Sequence, residues 1–163
     1  MYHSIVRNKI RFLFDAINRG DAAPVVNGFA ARFEHVFIGD HALGGTRRTV
    51  EATAEWYDRL YRLLPDIHFD LQRIDVQGMP WSTLAVVEWT ETNCGTDGVK
   101  TSARGVHIAH IRWGEMTRLV IGHGARSLVC RCGRAPCAAS RAGALSHGRR
   151  PRDKSAAMDA KCG

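Results

Sequence analysis

Apolar residues recur at the spacing of one helix face near the start of the chain. From Ile5 to Asn18 they return every three or four positions, which is typical of a helix that buries one side. Ser4 is a candidate N-cap and Gly20 a candidate C-terminal stop. Asp21 then has the chemistry to cap a short second helix that runs to about Phe29.

A second long helix is predicted farther along the chain. The helical period returns between Thr49, which can cap the helix, and Leu64, and Pro65 ends it. Between the two long helices, residues 31–39 (ARFEHVFIG) alternate in the manner of a short strand. The turn-rich residues 40–45 follow this strand and are predicted to form a loop.

The second half of the chain is dominated by the alternation that is typical of strands. Four segments are predicted to be strands: residues 68–78, 82–92, 101–113 and a last one that begins with 116–121. The alternation slips near Gln72 and Arg73, which predicts a β-bulge that bends the first of these strands. Residues 93–98 (NCGTDG) predict a hairpin turn between the second and the third. This order of elements predicts an α+β domain, with helices gathered on one side of a curved sheet.

The two longest predicted strands have one charged and one apolar face. The charged face carries Glu88, Arg104, His110 and Arg112, so it is expected to point to solvent. The opposite face points inward and carries Trp89 on the first strand and, on the second, Ala103, Gly105, His107, Ala109, Ile111 and Trp113. Because Gly105 and Ala109 are small, we expect free space beside His107.

His107 is the best candidate for chemistry, because a histidine in an apolar pocket can donate or accept a proton near neutral pH. The alternative is a core histidine that is satisfied by one hydrogen bond. Asp40 and His41, in the loop after the first predicted strand, can position a substrate or take a proton, or Asp40 can simply cap the turn. Four aromatic residues can line a pocket for a planar ligand or belong to the core: Trp56, Tyr57, Trp81 and Trp89.

Charge and composition divide the chain after His123. Residues 1–123 carry 14 basic and 14 acidic residues, whereas residues 124–163 carry 9 and 2 and therefore the whole net charge of +7. All 13 residues of Phe, Tyr and Trp lie at or before Trp113. Residues 1–123 are therefore predicted to form one domain. Residues 124–163 are predicted to form a basic, disordered tail that cannot bury enough apolar surface to fold.

The tail and the residue just before it also concentrate side chains that can bind zinc: His123, Cys130, Cys132, Cys137 and His147. The spacing of these cysteines is not usual for a zinc finger, so we predict no metal site. Nucleic acid is not an expected partner, because the basic residues 148–154 (GRRPRDK) lack interleaved aromatic residues.

Residues 1–123 contain one cysteine, Cys94, no secretion signal and no apolar run of membrane-spanning length, which predicts a cytoplasmic protein without internal disulfides.

Several short motifs in the right order resemble the SnoaL-like branch of the nuclear transport factor 2-like superfamily. They are FIGDHALGG, EWYDRLYRLLPD, GMPWSTLAVVEW and GVHIAHIRWG, and the likeness covers roughly residues 3–121. The resemblance implies a cone, in which a bent sheet wraps over helices around a pocket, and a homodimer formed through the outer sheet face. It also implies a small apolar or carbonyl-containing ligand and no cofactor, as in the polyketide cyclases, ketosteroid isomerases and binding proteins of this superfamily.

One residue of the catalytic relatives is missing from this chain. In those relatives an aspartate on the final strand acts as the general base, but after Glu115 the next acidic residue here is Asp153. From about Ile121 the sequence is rich in Arg, Gly, Ala and Cys, which is typical of an alternative reading frame of GC-rich DNA. We interpret this change as a frameshift near codon 121, natural or introduced by sequencing. The alternative is a genuine extension with a role of its own.

Two functions fit these observations. In the first, the chain is a cyclase, isomerase or dehydratase in which His107 is the acid or base, assisted by Asp40 or His41, while Trp56 and Trp89 pack the substrate. In the second, it is a non-catalytic cone that binds a small apolar ligand or dimerises, and the missing acid favours this function. A nucleic-acid role of the tail is disfavoured, because residues 1–123 carry no net charge.

Overall fold

The computed structural model describes residues 1–94, 99–124 and 127–131 of the chain. Most of the predicted hairpin turn at residues 93–98 lies outside the described residues, and so does the predicted disorder of residues 132–163.

The first helix, α1, runs from Tyr2 to Asn18 and begins before the predicted Ile5. Ser4 therefore lies inside the helix, and Met1 takes the N-cap position. A distant contact holds the additional turn, because the hydroxyl groups of Tyr2 and Thr83 are hydrogen-bonded at 2.6 Å. The buried residues of α1 are Val6, Ile10, Phe14, Ala16 and Ile17.

Of the other two helices, α3 begins at its predicted cap, whereas the N-cap position of α2 is Ala22 and not the predicted Asp21. Asp21 Oδ1 accepts a hydrogen bond of 3.1 Å from the backbone N–H of the first residue of α2 (Ala23–Val26). This helix ends before the predicted Phe29, because Phe29 already belongs to the sheet. Thr49 Oγ1 accepts a hydrogen bond of 3.2 Å from the backbone N–H of Ala52, at the start of α3 (Val50–Leu63).

Seven strands form one mixed sheet among the described residues. They are β1 (Phe29–Phe37), β2 (Gly45–Arg47), β3 (His68–Met79), β4 (Ser82–Cys94), β5 (Val99–Arg112), β6 (Glu115–His123) and β7 (Ser127–Arg131). Their spatial order is β2-β1-β6-β5-β4-β3, and β7 also pairs with β5. β1 and β6 are parallel, whereas the other pairs are antiparallel. β2 was not predicted from the sequence, which placed its first residue in a loop.

The sheet packs its inner face against the helices. The register of β3 against β4 shifts between Leu71 and Arg73, which confirms the predicted bulge. One core contains side chains of all three helices and of the strands, so the predicted α+β architecture is confirmed.

Within the described chain, no helix has both the length and the hydropathy to cross a membrane.

β7 follows β6 along the same edge of β5. β6 pairs with Gly105–Arg112, and β7 pairs with Val99–Ser102. Residues 127–131, which the sequence analysis assigned to the tail, are therefore part of the sheet.

Candidate functional site

His107 lies on β5 and is only 7% exposed, in agreement with the predicted inner face. Its neighbours across the sheet are Val87 on β4 and Ile121 on β6. The ring of Phe14, on α1, meets the imidazole edge-on, with 5.1 Å between the ring centroids. The histidine is therefore held between the sheet and the first helix.

Trp89 fills the space that the sequence analysis expected to be free at Gly105. A Cβ atom on Gly105 would lie 2.3 Å from the Trp89 ring, so the indole can cross β5 at this point only over a glycine. The Trp89 side chain is 2% exposed. Its Nε1–H donates a hydrogen bond of 2.5 Å to His107 Nδ1. The space expected beside His107 is therefore filled by the Trp89 ring on the Gly105 side, whereas on the Ala109 side His107 and Ala109 line a cavity.

This hydrogen bond decides which ring nitrogen of His107 carries the proton. Because Nδ1 accepts from Trp89, the neutral imidazole carries its proton on Nε2. Burial, and to a smaller extent His35, lower the pKa of His107 to about 3, so the ring is neutral at pH 7. His107 therefore offers an N–H donor to its surroundings, and its lone pair is already occupied.

Two small cavities meet at His107. The Glu91 cavity lies beside Glu91, Trp56 and Leu43, and the Met116 cavity lies between α1 and the sheet beside Met116. His107, Tyr57 and Ile17 line both cavities and separate them. The centre of a water molecule can occupy about 20 Å³ of the Glu91 cavity and about 50 Å³ of the Met116 cavity. Since one water needs about 10–15 Å³ by this measure, a ligand of several rings must displace side chains to bind.

Glu91 is an ionisable residue of this site that the sequence analysis missed. It follows Trp89 by two residues on β4, on the same inner face, and is 5% exposed. Asn93 Nδ2 donates a hydrogen bond of 2.6 Å to Glu91 Oε1, and Thr101 Oγ1 donates one of 3.1 Å to Asn93 Oδ1. The alternation that places Trp89 inside also places Glu91 there, so the signal was present in the sequence.

Of the four aromatic residues that were predicted to bind a ligand, three line a cavity and one does not. Three line the Glu91 cavity: Trp56, Tyr57 and Trp89. Trp56 is fixed by a hydrogen bond of 2.8 Å from its Nε1–H to the carbonyl oxygen of Leu43. Trp81 is instead 54% exposed and lines neither cavity.

Trp113 does not lie on the inner face of the sheet. It is 68% exposed, and its ring centroid lies 6.2 Å from that of Trp81. β5 ends at Arg112, and the chain turns at Trp113 with φ of 53°. The alternation of the strand therefore does not extend to Trp113, and its predicted inward position was wrong.

A comparison with protein families matches residues 10–119 to the SnoaL-like domain. The chain belongs to the SnoaL-like family. A comparison with curated protein sequences gave no match.

Solved structures share the fold of this SnoaL-like domain at low sequence identity. TerC, which was crystallised with polyporic acid, is 20% identical with a TM-score of 0.60, over 70% of this chain and 87% of that chain. A nuclear transport factor 2-like protein of unknown function from Burkholderia pseudomallei K96243 is 14% identical with a TM-score of 0.63, over 71% and 87%. A candidate SnoaL-like polyketide cyclase from Jannaschia sp. CCS1 is 12% identical with a TM-score of 0.59, over 71% and 83%.

Asp40 and His41 lie in the loop before β2 of the SnoaL-like domain and not beside His107. Both are exposed, and neither lines a cavity. His41 Nδ1 accepts a hydrogen bond of 3.3 Å from the backbone N–H of Leu43, so its proton lies on Nε2 and faces His123 Nε2 at 3.3 Å. His123 Nδ1–H donates to the carbonyl oxygen of Gly124 at 2.9 Å. These hydrogen bonds tie the loop that carries Leu43 to the end of β6.

The same hydrogen bonds argue against a metal ion between His41 and His123. The lone pair of His41 is on Nδ1, where Leu43 donates to it, and is not directed at His123. In the described parts of the chain, no three side chains of His, Cys, Asp or Glu come together as a metal site requires.

His35, on β1, is a second buried histidine of the SnoaL-like domain. It is 0% exposed, and neither ring nitrogen has a hydrogen-bond partner among the described residues. The rings of Phe29, Trp56 and Tyr57 surround it, with centroid distances between 4.7 and 6.0 Å. Burial first, and Arg47 second, lower the pKa of His35 to about 3. The sequence predicts a strand at His35 but no role for its side chain.

Proposed function

We propose that this SnoaL-like domain binds a small, largely apolar carbonyl compound in the cavities around His107. We further propose that it acts as a cyclase or isomerase by promoting formation of the enolate. The observation that carries the proposal is the hydrogen bond from Trp89 to His107, which leaves the histidine with one fixed N–H donor inside an apolar site. The crystallisation of TerC, a protein of the same fold, with polyporic acid supports a pocket for small molecules.

His107 has the role of a hydrogen-bond donor in this proposal. Its Nε2–H donates to the carbonyl oxygen, and this bond strengthens as negative charge develops on the oxygen of the enolate. The sequence alone predicts an acid or base at His107. That role does not suit a neutral ring whose one lone pair already accepts from Trp89. Asp40 and His41, which line neither cavity, take no part in the chemical step of this proposal.

The alternative is a SnoaL-like domain that binds its ligand without converting it. One observation favours this alternative: residues 116–123 of β6 contain no Asp or Glu, although the catalytic relatives carry their base on this strand.

Binding of 4-nitrophenolate tests the pocket, because its phenolate oxygen resembles the oxygen of an enolate and its single ring is small. We expect His107→Phe to weaken binding at least about tenfold, or ~1.4 kcal/mol, since it removes one charge-assisted hydrogen bond. Titration calorimetry measures the effect at a pH at which the phenol is ionised. Trp81→Phe is the matched control and should bind like the wild type, because Trp81 lies outside both cavities. Equal binding by His107→Phe would refute the role of His107, and no binding by the wild type would refute the pocket.

We also propose that the domain forms a homodimer through the outer sheet face. Four partly buried apolar residues of neighbouring strands stand in register on this face: Val36, Val120, Ile108 and Val86. Aligned in this way, they form an apolar strip across the centre of the sheet. A second copy of the chain has the same strip and can cover it.

Ile108→Glu is expected to convert this dimer into a monomer, because a carboxylate in the centre of the strip would be buried without a partner. Light scattering coupled to size-exclusion chromatography, at several protein concentrations, measures the change in mass. Gln77→Glu is the matched control, because it introduces the same charge at an exposed position of β3, opposite Leu84 and outside the strip. A monomeric wild type at all concentrations is the result that would rule out this dimer.

A further inference from the structure

We propose that Glu91 is a catalytic residue of this site, the general base that takes a proton from the carbon next to the substrate carbonyl. The inference rests on the function proposed above. Glu91 and His107 line the same cavity, and among the described residues Glu91 is the one carboxylate that lines either cavity. The base of this chain therefore comes from β4 and not from β6.

The described residues that line the Glu91 cavity are mostly apolar. With the exception of His107, the other residues that line the Glu91 cavity are aromatic or aliphatic. A carboxylate is unfavourable in such surroundings unless polar groups stabilise it. Glu88, the other glutamate of β4, is exposed on the outer face of the same strand. The inward position of Glu91 therefore indicates a role inside the cavity.

Two further residues hold the carboxylate of Glu91 in place. Asn93 is 3% exposed, and its Nδ2 donates to Glu91 Oε1 at 2.6 Å. Thr101, the register partner of Asn93 on β5, donates its hydroxyl proton to Asn93 Oδ1 at 3.1 Å. Because the amide oxygen accepts from Thr101, the amide NH₂ group must face Glu91. Asn93 and Thr101 are therefore positioning residues, which fix the base relative to the sheet that also carries His107.

Glu91 accepts the proton that leaves the substrate, and His107 stabilises the negative charge that develops on the oxygen. The electron pair of the C–H bond forms the new C=C bond, the π pair of the carbonyl moves to its oxygen, and the proton moves to the Glu91 carboxylate. The Nε2–H of His107 donates to the resulting enolate oxygen. Return of the proton to a different carbon completes an isomerisation. Attack of the enolate carbon on a second carbonyl of the same molecule, with the proton passed to the new alkoxide, completes a ring closure.

Exchange of the α-hydrogens of cyclohexanone for deuterium tests this step directly. In D₂O, proton NMR follows the loss of the α-hydrogen signal in the presence of the full chain. We expect Glu91→Gln to slow the enzyme-dependent exchange at least about 100-fold, the usual contribution of a general base. Binding of 4-nitrophenolate by this variant should stay within about threefold of the wild type, because glutamine keeps the shape and the acceptor for Asn93. Glu88→Gln is the matched control and should exchange like the wild type.

Rescue with acetate distinguishes a base from a structural residue. In Glu91→Ala, acetate can occupy the vacated space, and we expect it to restore exchange in proportion to its concentration. In Glu91→Gln the side chain fills this space, so acetate should have no effect. Slow exchange in Glu91→Ala that acetate does not restore would give Glu91 a structural role and overturn the inference.

The outcomes for the wild type separate this inference from the proposed function. If the wild type exchanges cyclohexanone and Glu91→Gln exchanges it equally fast, the role of Glu91 is overturned and the proposed function stands. If the wild type binds 4-nitrophenolate but does not exchange the α-hydrogens of cyclohexanone, the role of Glu91 as a base and the proposed enolisation are both overturned. The non-catalytic alternative then holds. If the wild type neither binds nor exchanges, the proposed function fails, and the inference fails with it.

Discussion

The free energy of unfolding is expected to fall steeply between pH 6.5 and pH 3, because two buried histidines resist protonation in the folded state. The pKa of His35 and that of His107 are both lowered from 6.5 to about 3. The unfolded chain, in which histidines have a pKa of about 6.5, therefore binds more protons than the folded chain throughout this range. Their contribution is complete above pH 6.5 and is lost as the pH falls towards 3.

Each of the two histidines contributes a slope of about 1.4 kcal/mol per pH unit, and together they contribute about 2.7. The two histidines alone can therefore cause acid unfolding of a domain whose unfolding free energy is about 5 kcal/mol, the lower end of the usual range. Urea unfolding at a series of pH values measures the slope.

His35→Leu should halve this slope. At pH 7 it should also stabilise the domain by about 1–3 kcal/mol, because it removes two buried nitrogens that have no hydrogen-bond partner. His110→Gln, which replaces an exposed histidine of the outer face, is the matched control and should leave the slope unchanged. A slope that is the same in His35→Leu and the wild type would show that His35 does not resist protonation.

Gly105→Ala is expected to destabilise the domain by about 3 kcal/mol or more, because the added methyl group has no space. Its Cβ would lie 2.3 Å from two atoms of the Trp89 ring and 2.6 Å from the carbonyl oxygen of Gly122. The indole cannot easily retreat, since Phe69 packs edge-on against it at 5.0 Å and His107 accepts its N–H. Overpacking of this kind typically costs about 1–3 kcal/mol, and here the backbone of β6 is also in the way.

Gly122→Ala is the matched control for this substitution. Its Cβ would lie 3.8 Å from Ile38 and from Val106, which is ordinary van der Waals contact. We expect its stability to stay within about 0.5 kcal/mol of the wild type. Urea unfolding followed by tryptophan fluorescence measures both variants. If Gly105→Ala is as stable as Gly122→Ala, the indole of Trp89 does not lie across β5.

The fold could be predicted from the sequence where neighbouring residues determine it. The slip of the alternation at Gln72 and Arg73 predicted the bulge, and Thr49 predicted the start of α3. The first turn of α1 was missed, because Tyr2 is bonded to Thr83, 81 residues away. β2 was missed for a similar reason. Its three residues are too few to show an alternation, and they form a strand through their pairing with β1.

The candidate site shows the same division between local and distant causes. Alternation correctly predicted that Trp89 and His107 point inward. It could not predict that the indole crosses Gly105 to reach His107 Nδ1, because this contact runs between strands and depends on one missing Cβ atom. Glu91 was missed because the inner face of β4 was followed only as far as Trp89. Trp113 was placed wrongly because the alternation was extended beyond the end of β5.

The position of β7 protects the domain against association through a sheet edge. On one side, β5 is covered along most of its length by two successive strands, β6 on Gly105–Arg112 and β7 on Val99–Ser102. Without β7, the first half of β5 would present unpaired backbone N–H and C=O groups, which are a template for pairing with another chain. Whatever the origin of the sequence after Ile121, its first residues close this edge. A chain that ended at His123 would expose the unpaired backbone groups of the first half of β5, which β7 covers in the full chain, and would be more prone to associate through this strand.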